Sequence, residues 1–161
     1  MKTLILYATT YGFTKECVED LRKLLNGDVD MVNIMTSQVD SLGEYNNIII
    51  GGSIYIGQIQ KKLKNYCIEH KDMLKSKRLA LFLCCGMTDQ FDQTLKNSYP
   101  AELLNQAIAK ECFGGELRID KMKLTHKIIT NMMKKVTEKQ GKENPEKLFE
   151  GIQRLANKMN T

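Results

Sequence analysis

The sequence has few of the features that mark multidomain, disulfide-rich or membrane-spanning chains. Only two prolines interrupt its 161 residues, so most of the chain can form regular structure. Its longest apolar runs, at 48–50 and 79–85, have the length of strands and fall far short of the roughly 20 residues of a membrane helix. The apolar start of the chain ends at Thr9, which is too short for a signal peptide. We therefore expect a single cytoplasmic domain over residues 1–161.

The five cysteines have no Cys-x-x-Cys spacing and are odd in number, so we expect neither a disulfide framework nor a metal site. Cys84 and Cys85 are adjacent in an apolar run that is typical of a strand. Successive side chains of a strand point to opposite faces, so these two cannot easily bond to each other. We interpret the cysteines as small buried apolar residues. The histidines, His70 and His126, are assigned no catalytic role.

The net charge of +5 is concentrated near the C-terminus. Residues 1–120 hold 14 Lys and Arg against 15 Asp and Glu, whereas residues 121–161 hold 10 against 4. Apolar residues recur at three- and four-residue spacing in 121–136, which predicts a cationic amphipathic helix. Such a helix can pack on the sheet or on a partner subunit, contact an anionic membrane, or bind another protein. The stretch has no Phe, Tyr or Trp to stack bases, so nucleic acid is not an expected partner. The lysines of this basic segment are Lys121, Lys123, Lys127, Lys134 and Lys135.

Strand-like and helix-like patterns alternate along the chain. We predict strands at 2–7, 30–34, 47–51, 79–85 and 114–119. Helices are predicted at 13–25, 59–70, 100–110, 121–136 and 145–159, and 137–144 links the last two. Alternation with about 30 residues per unit indicates βαβ crossovers, and therefore an α/β fold with a parallel five-stranded sheet covered by helices on both faces.

Ligands of open α/β sheets bind outside the carboxyl ends of the strands, so the loops after the first, third and fourth predicted strands are the candidate site. The first loop places hydroxyl groups at a helix start, which suits a single phosphate, although hydroxyls that only cap the helix explain it equally well. The Walker and dinucleotide glycine patterns are both absent there. The second loop contains glycines and an aromatic side chain. It either lies against a flat ring or forms an ordinary turn. The third loop, 85–91, is polar and long.

These loops resemble those of the flavodoxin-like family, in which a hydroxyl-rich loop binds the phosphate of FMN. The opening 1–7 with Thr9, Gly12 and Thr14, the start of the second loop at 51–54, and the basic helix are most similar to the menaquinone-dependent protoporphyrinogen oxidase subgroup. The resemblance implies a flavodoxin-like three-layer sandwich with strand order 2-1-3-4-5 and FMN as cofactor. It assigns to FMN the residues Thr9, Thr10, Tyr11, Gly12, Phe13, Thr14, Ser53, Ile54, Tyr55, Ile56, Gly57, Cys85, Gly86 and Met87.

The resemblance also implies a function. It predicts an FMN-dependent oxidoreductase that passes electrons from a reduced planar substrate to a quinone or another acceptor, with the backbone near Gly57 bonding the flavin. A flavodoxin-type electron carrier is the alternative, and its partner would be a redox protein. Tyr11 and Phe13 replace the small or polar residues common in flavodoxin phosphate loops, which leaves a third alternative, an interaction module without flavin. Contact with an anionic membrane through the basic segment would bring the site near a lipid-soluble quinone.

Overall fold

The computed structural model describes residues 1–116 and 146–161, together with five positions between these ranges: Leu124, Lys127, Ile128, Asn131 and Lys135. The rest of the predicted basic helix, the predicted linker 137–144 and His126 lie outside the described residues. The same holds for the first residue of the predicted C-terminal helix.

A parallel sheet forms the centre of the molecule. Its strands are β1 (Lys2–Ala8), β2 (Asp28–Asn33), β3 (Asn47–Tyr55), β4 (Gln58–Ile59), β5 (Arg78–Cys84) and β6 (Ala109–Cys112). The order is β2-β1-β3-β5-β6, and β4 pairs antiparallel with the end of β3. The predicted fold class is confirmed, and the main path of the sheet has the predicted order, but β4 gives six strands instead of five.

Helices cover both faces of this sheet. They are α1 (Phe13–Leu24), α2 (Lys61–Glu69), α3 (Lys71–Lys75), α4 (Phe91–Ser98), α5 (Ala101–Gln106) and α6 (Phe149–Asn160), and Thr88–Gln90 adds a single 3-10 turn. The connection from β2 to β3 at 34–46, all of it described, runs through turns without a helix. No helix within the described part of the chain is long and apolar enough to cross a membrane.

Two apolar layers pack against the sheet because alternate strand residues face opposite sides. One layer contains Ile48, Ile50 and Leu63, and the other contains Ile49, Phe82 and the apolar face of α1. Cys84 belongs to the second layer and Cys85 to the first, as the alternation predicts. All five cysteines are free thiols, and only Cys112 is more than slightly exposed.

The fifth strand along the main path of the sheet is β6, which lies before the predicted range of 114–119. Among the described residues it is the last strand of the sheet, and it pairs with β5 from Ala80 opposite Ala109 to Leu83 opposite Cys112. Its sequence, Ala-Lys-Glu-Cys, has little strand propensity, so the edge of β5 determines its conformation. Gly114 instead forms an isolated bridge with Lys147, and residues 117–119 lie outside the described residues.

The predicted helix at 100–110 is also wrong at its end and incomplete at its start. A helix that was not predicted, α4, begins at Phe91 at the end of the predicted third loop, and Pro100 separates α4 from α5. The chain leaves α5 at Ala107, because Ile108 N–H donates to the Leu79 carbonyl at 2.8 Å and starts the pairing of β6 with β5. The predicted C-terminal helix begins later than expected, at Phe149.

The third predicted strand extends beyond its expected end. The predicted strand ends at Gly51, but β3 continues to Tyr55. Glycine is required at 51 by packing, because a Cβ there would lie 2.4 Å from the Phe82 ring, which stacks on Phe113. The extension pairs with β4, so Ile59 is a strand residue and α2 starts only at Lys61.

Candidate functional site

The sheet register brings the three predicted loops to one edge. Ala8 of β1 pairs with Gly52 of β3, and Ser53 of β3 pairs with Cys84 of β5. The strands are parallel, so the residues that follow these positions emerge side by side at the carboxyl edge, where open α/β sheets bind ligands. The structure therefore groups the predicted site residues, although they come from three distant parts of the sequence.

The first loop is shaped by Thr9 and Gly12. The Gly12 N–H donates to Thr9 Oγ1 at 3.1 Å, and Gly12 adopts a left-handed φ of 94°. Gly12 is also the N-cap of α1, and the helix has no side-chain capping hydrogen bond there. The first-turn N–H groups of a helix lack intrahelical partners, so they create a positive site for an anion. The hydroxyl of Thr9 thus holds the loop and does not cap the helix.

Thr14 is the most informative residue of this loop. Its side chain is fully buried, and its Oγ1 has no hydrogen-bond partner. The Thr14 hydroxyl faces the Cys84 thiol and opposes the rise that burial causes in the pKa of that thiol, but sulfur is a weak hydrogen-bond acceptor and does not satisfy the hydroxyl. A buried polar atom without a partner destabilises a fold unless a ligand or water satisfies it. The orphaned hydroxyl at an uncapped helix start therefore fits a phosphate group. Of the neighbouring predicted residues, Thr10 is exposed, Tyr11 is half-buried and Phe13 packs in the core.

The second loop is a tight hairpin between β3 and β4. Ile56 and Gly57 form its turn, and both have positive φ values, 49° and 72°. This conformation is the one that two-residue hairpins need, but a β-branched residue adopts it only with strain. Tyr55 is 43% and Ile56 72% exposed, whereas Ile54 packs on the core. The hairpin thus presents an aromatic and an aliphatic side chain at the edge where the loops meet.

The third loop turns sharply after β5. The Cys85 thiol donates to the Met87 carbonyl at 3.3 Å, and the Cys112 thiol donates to the Cys85 carbonyl at 3.4 Å. Burial raises the pKa of Cys85, so its thiol stays protonated and acts as a donor rather than as a nucleophile. Gly86 is exposed, while Met87 and Phe91 pack partly against the core. Of the predicted residues in this loop, Gly86 is exposed and Met87 partly exposed, so both are accessible to a ligand.

Sequence reasoning missed three polar or close contacts at this edge. Gln60 Nε2 donates to Ser53 Oγ at 2.5 Å, and Ser98, fully buried in α4, accepts a hydrogen bond from Ile59 N–H at 3.1 Å. Gly115 approaches the third loop so closely that a Cβ there would lie 2.8 Å from Gly86 N. No local pattern could have identified these residues, because each contact joins separate elements of the fold.

Comparison with known proteins provides the family context. A family model described as a flavodoxin domain matches residues 4–144. Protoporphyrinogen IX dehydrogenase [quinone] of Leishmania major is 25% identical over 146 residues, which are 84% of this chain and 63% of that protein. The chain thus spans less than two thirds of the length of this curated relative.

Two solved structures share the fold at low sequence identity. Rubredoxin oxygen:oxidoreductase from Desulfovibrio gigas is 13% identical with a TM-score of 0.55, over 74% of this chain and 32% of that one. A flavodiiron core from Synechocystis sp. PCC6803 is 15% identical with a TM-score of 0.54, over 69% of this chain and 28% of that one. The chain is similar to only about a third of each of these larger proteins.

Proposed function

We propose that this chain, which belongs to the flavodoxin family, is an FMN-dependent oxidoreductase that passes electrons from a reduced substrate to a quinone or another acceptor. Membership in the family assigns FMN as its cofactor. When bound, FMN supplies the redox chemistry, and the protein contributes binding, orientation and access to the ring.

The residues of the three loops fit this cofactor in separate roles. The start of α1 and the hydroxyl of Thr14 would hold the phosphate, because the helix has no side-chain cap and the Thr14 hydroxyl has no hydrogen-bond partner. Tyr55 and Ile56 of the hairpin would cover one side of the ring with apolar surface. Gly86 and Met87 would lie on the other side. Thr9, Thr10, Tyr11, Gly12 and Phe13 would shape the phosphate loop, and Ser53, Ile54, Gly57 and Cys85 would complete the ring site.

The orphaned Thr14 hydroxyl carries this proposal from the structure, and the similarity to a protoporphyrinogen dehydrogenase supports the choice of reaction. We infer that the reduced substrate is a tetrapyrrole of the porphyrinogen class and that a quinone is the acceptor. An exposed apolar hairpin tip beside the ring site suits a large, mostly apolar ring substrate of this kind.

An electron carrier of the flavodoxin type is the second candidate, and it is favoured by the family match over residues 4–144. The two candidates differ in turnover. With FMN-loaded protein under anaerobic conditions, porphyrinogen and a soluble quinone, we expect porphyrin fluorescence to rise at a rate proportional to enzyme. A protein that accepts electrons from a flavodoxin reductase but leaves porphyrinogen untouched is a carrier.

We further propose that the basic segment contacts anionic membranes. Leu124 and Ile128, four residues apart at helical positions, are 75% and 54% exposed, and Lys127 and Lys135 lie in the same stretch. Exposed apolar side chains beside lysines are typical of helices that lie at a lipid surface. We expect co-sedimentation with phosphatidylglycerol vesicles at low salt, and reduced binding after Lys127→Glu and Lys135→Glu. Equal binding to neutral vesicles, or none to either, would refute this proposal.

A further inference from the structure

The side chain of Gln60 makes an unusual set of contacts at the end of β3. This residue follows β4 and precedes α2, and its carboxamide turns back towards the sheet. Its Nε2 donates to Ser53 Oγ at 2.5 Å. Its Oε1 is shielded from solvent and has no hydrogen-bond partner. The amide is therefore half satisfied, and its unpartnered oxygen lowers the stability of the protein.

The position of this amide places it at the candidate site. Gln60 Oε1 lies against Gly52, where a Cβ would be only 2.9 Å away, so glycine at 52 makes room for the amide. Gly52 pairs with Ala8, the residue before the first loop, and Ser53 is half-buried at the start of the second. The Gln60 amide thus lies behind the place where two of the three loops meet.

The direction of the hydrogen bond decides what Ser53 can do. A serine hydroxyl has one proton to donate and two lone pairs to accept with. Because Gln60 donates to Ser53, it occupies a lone pair and leaves the Ser53 proton for another acceptor. If the amide were turned over, its oxygen would take that proton, and Ser53 could only accept hydrogen bonds from a ligand.

We propose that Gln60 is a positioning residue that orients the Ser53 hydroxyl as a hydrogen-bond donor to the cofactor. This inference rests on the proposed function, since FMN offers acceptor oxygens and nitrogens on its ribityl chain and ring. The unpartnered Oε1 is the consequence of holding the amide in this orientation. Gln60 acts through Ser53 and does not itself contact the ligand.

The test compares three variants of the full chain in two measurements, the thermal unfolding midpoint without FMN and the Kd for FMN from flavin fluorescence. Gln60→Met keeps the side-chain length and removes the unpartnered oxygen, so we expect an unchanged or higher midpoint together with a roughly 3- to 10-fold weaker Kd. Ser53→Ala should weaken the Kd to a similar extent. The double variant should bind no more weakly than Ser53→Ala alone, because Gln60 has no effect without the hydroxyl.

The matched control is Gln58→Met, in the same hairpin. Gln58 is exposed, and its Oε1 accepts a hydrogen bond from Lys64 Nζ at 2.7 Å, so its replacement should leave the Kd within about twofold. A wild-type protein that does not bind FMN at all would contradict the proposed function. Wild-type binding with an unaffected Gln60→Met variant would overturn the present inference alone. A lower unfolding midpoint for Gln60→Met, or losses that add in the double variant, would equally refute it.

Discussion

Replacing Thr14 by valine should stabilise the protein without FMN and weaken its binding of FMN. Thr14 is fully buried and its hydroxyl has no partner, and valine has nearly the same shape without the polar atom. An unsatisfied buried polar group costs about 1–3 kcal/mol. Repacking around the valine side chain offsets part of this gain. We therefore expect Thr14→Val to raise the free energy of unfolding of the apoprotein by about 1 kcal/mol.

Thr3→Val is the matched control, because Thr3 is equally buried but has a partner. Its Oγ1 accepts a hydrogen bond from the Asn47 amide at 3.2 Å, and both residues are less than 5% exposed. Valine at this position leaves the Asn47 amide unpaired inside the protein. The free energy of unfolding should therefore fall by about 1–2 kcal/mol, the opposite sign to Thr14→Val.

Urea unfolding followed by circular dichroism measures both variants on the same scale. A fluorescence titration then gives the Kd for FMN. A hydrogen bond to a charged group contributes about 1.5–3 kcal/mol, so Thr14→Val should weaken the Kd by about 10- to 100-fold, while Thr3→Val leaves it nearly unchanged. The reasoning is refuted if Thr14→Val destabilises the apoprotein as much as Thr3→Val does, or if FMN binds both variants equally well.

Three further predictions concern stability. Ser98→Ala should lower the free energy of unfolding in urea by about 1–3 kcal/mol, because it leaves Ile59 N–H buried without an acceptor; a change below 0.5 kcal/mol would contradict this role. Ile56→Asn should raise the free energy of unfolding by about 1 kcal/mol, since asparagine tolerates the positive φ at that turn. A lower free energy of unfolding for this variant would show that residue 56 is not left-handed. Hydrogen bonds from Lys147 and Lys23 lower the pKa of Asp20, so its stabilising contribution exists above its ordinary pKa and is lost as the pH falls through the lowered value. Lys147→Met should therefore lower the urea midpoint at pH 7 and much less at pH 2, and an equal loss at both would exclude the ion pair as the cause.

The sheet could be predicted from the sequence because its strands are short, buried and locally encoded. The isoleucines at 48–50 and the apolar run at 79–84 have the length and composition of strands that are buried on both faces of a parallel sheet. The alternation that separates Cys84 from Cys85 follows from strand geometry alone. The three loops of the candidate site could be predicted for the same reason, since they follow the strands that the sequence identifies.

The features that sequence reasoning missed depend on contacts between distant residues. Strand β6 has an ordinary sequence and becomes a strand by pairing with β5. The extension of β3 beyond Gly52 depends on its pairing with β4, which no local sequence pattern predicts. Gln60 lies in a segment predicted as helix and Ser98 lies in a segment with no predicted element. The roles of both arise from the partners that the fold brings to them. Side-chain hydrogen bonds of this kind become visible only once the tertiary structure is known.

The central claim is that the loops after β1, β3 and β5 together bind FMN. A fluorescence titration of the purified apoprotein with FMN tests it most directly. The account predicts saturable quenching with one FMN per chain, and a clear loss of affinity for the Thr14→Val variant. Flavin fluorescence and absorbance identical to those of free FMN at every protein concentration would contradict it.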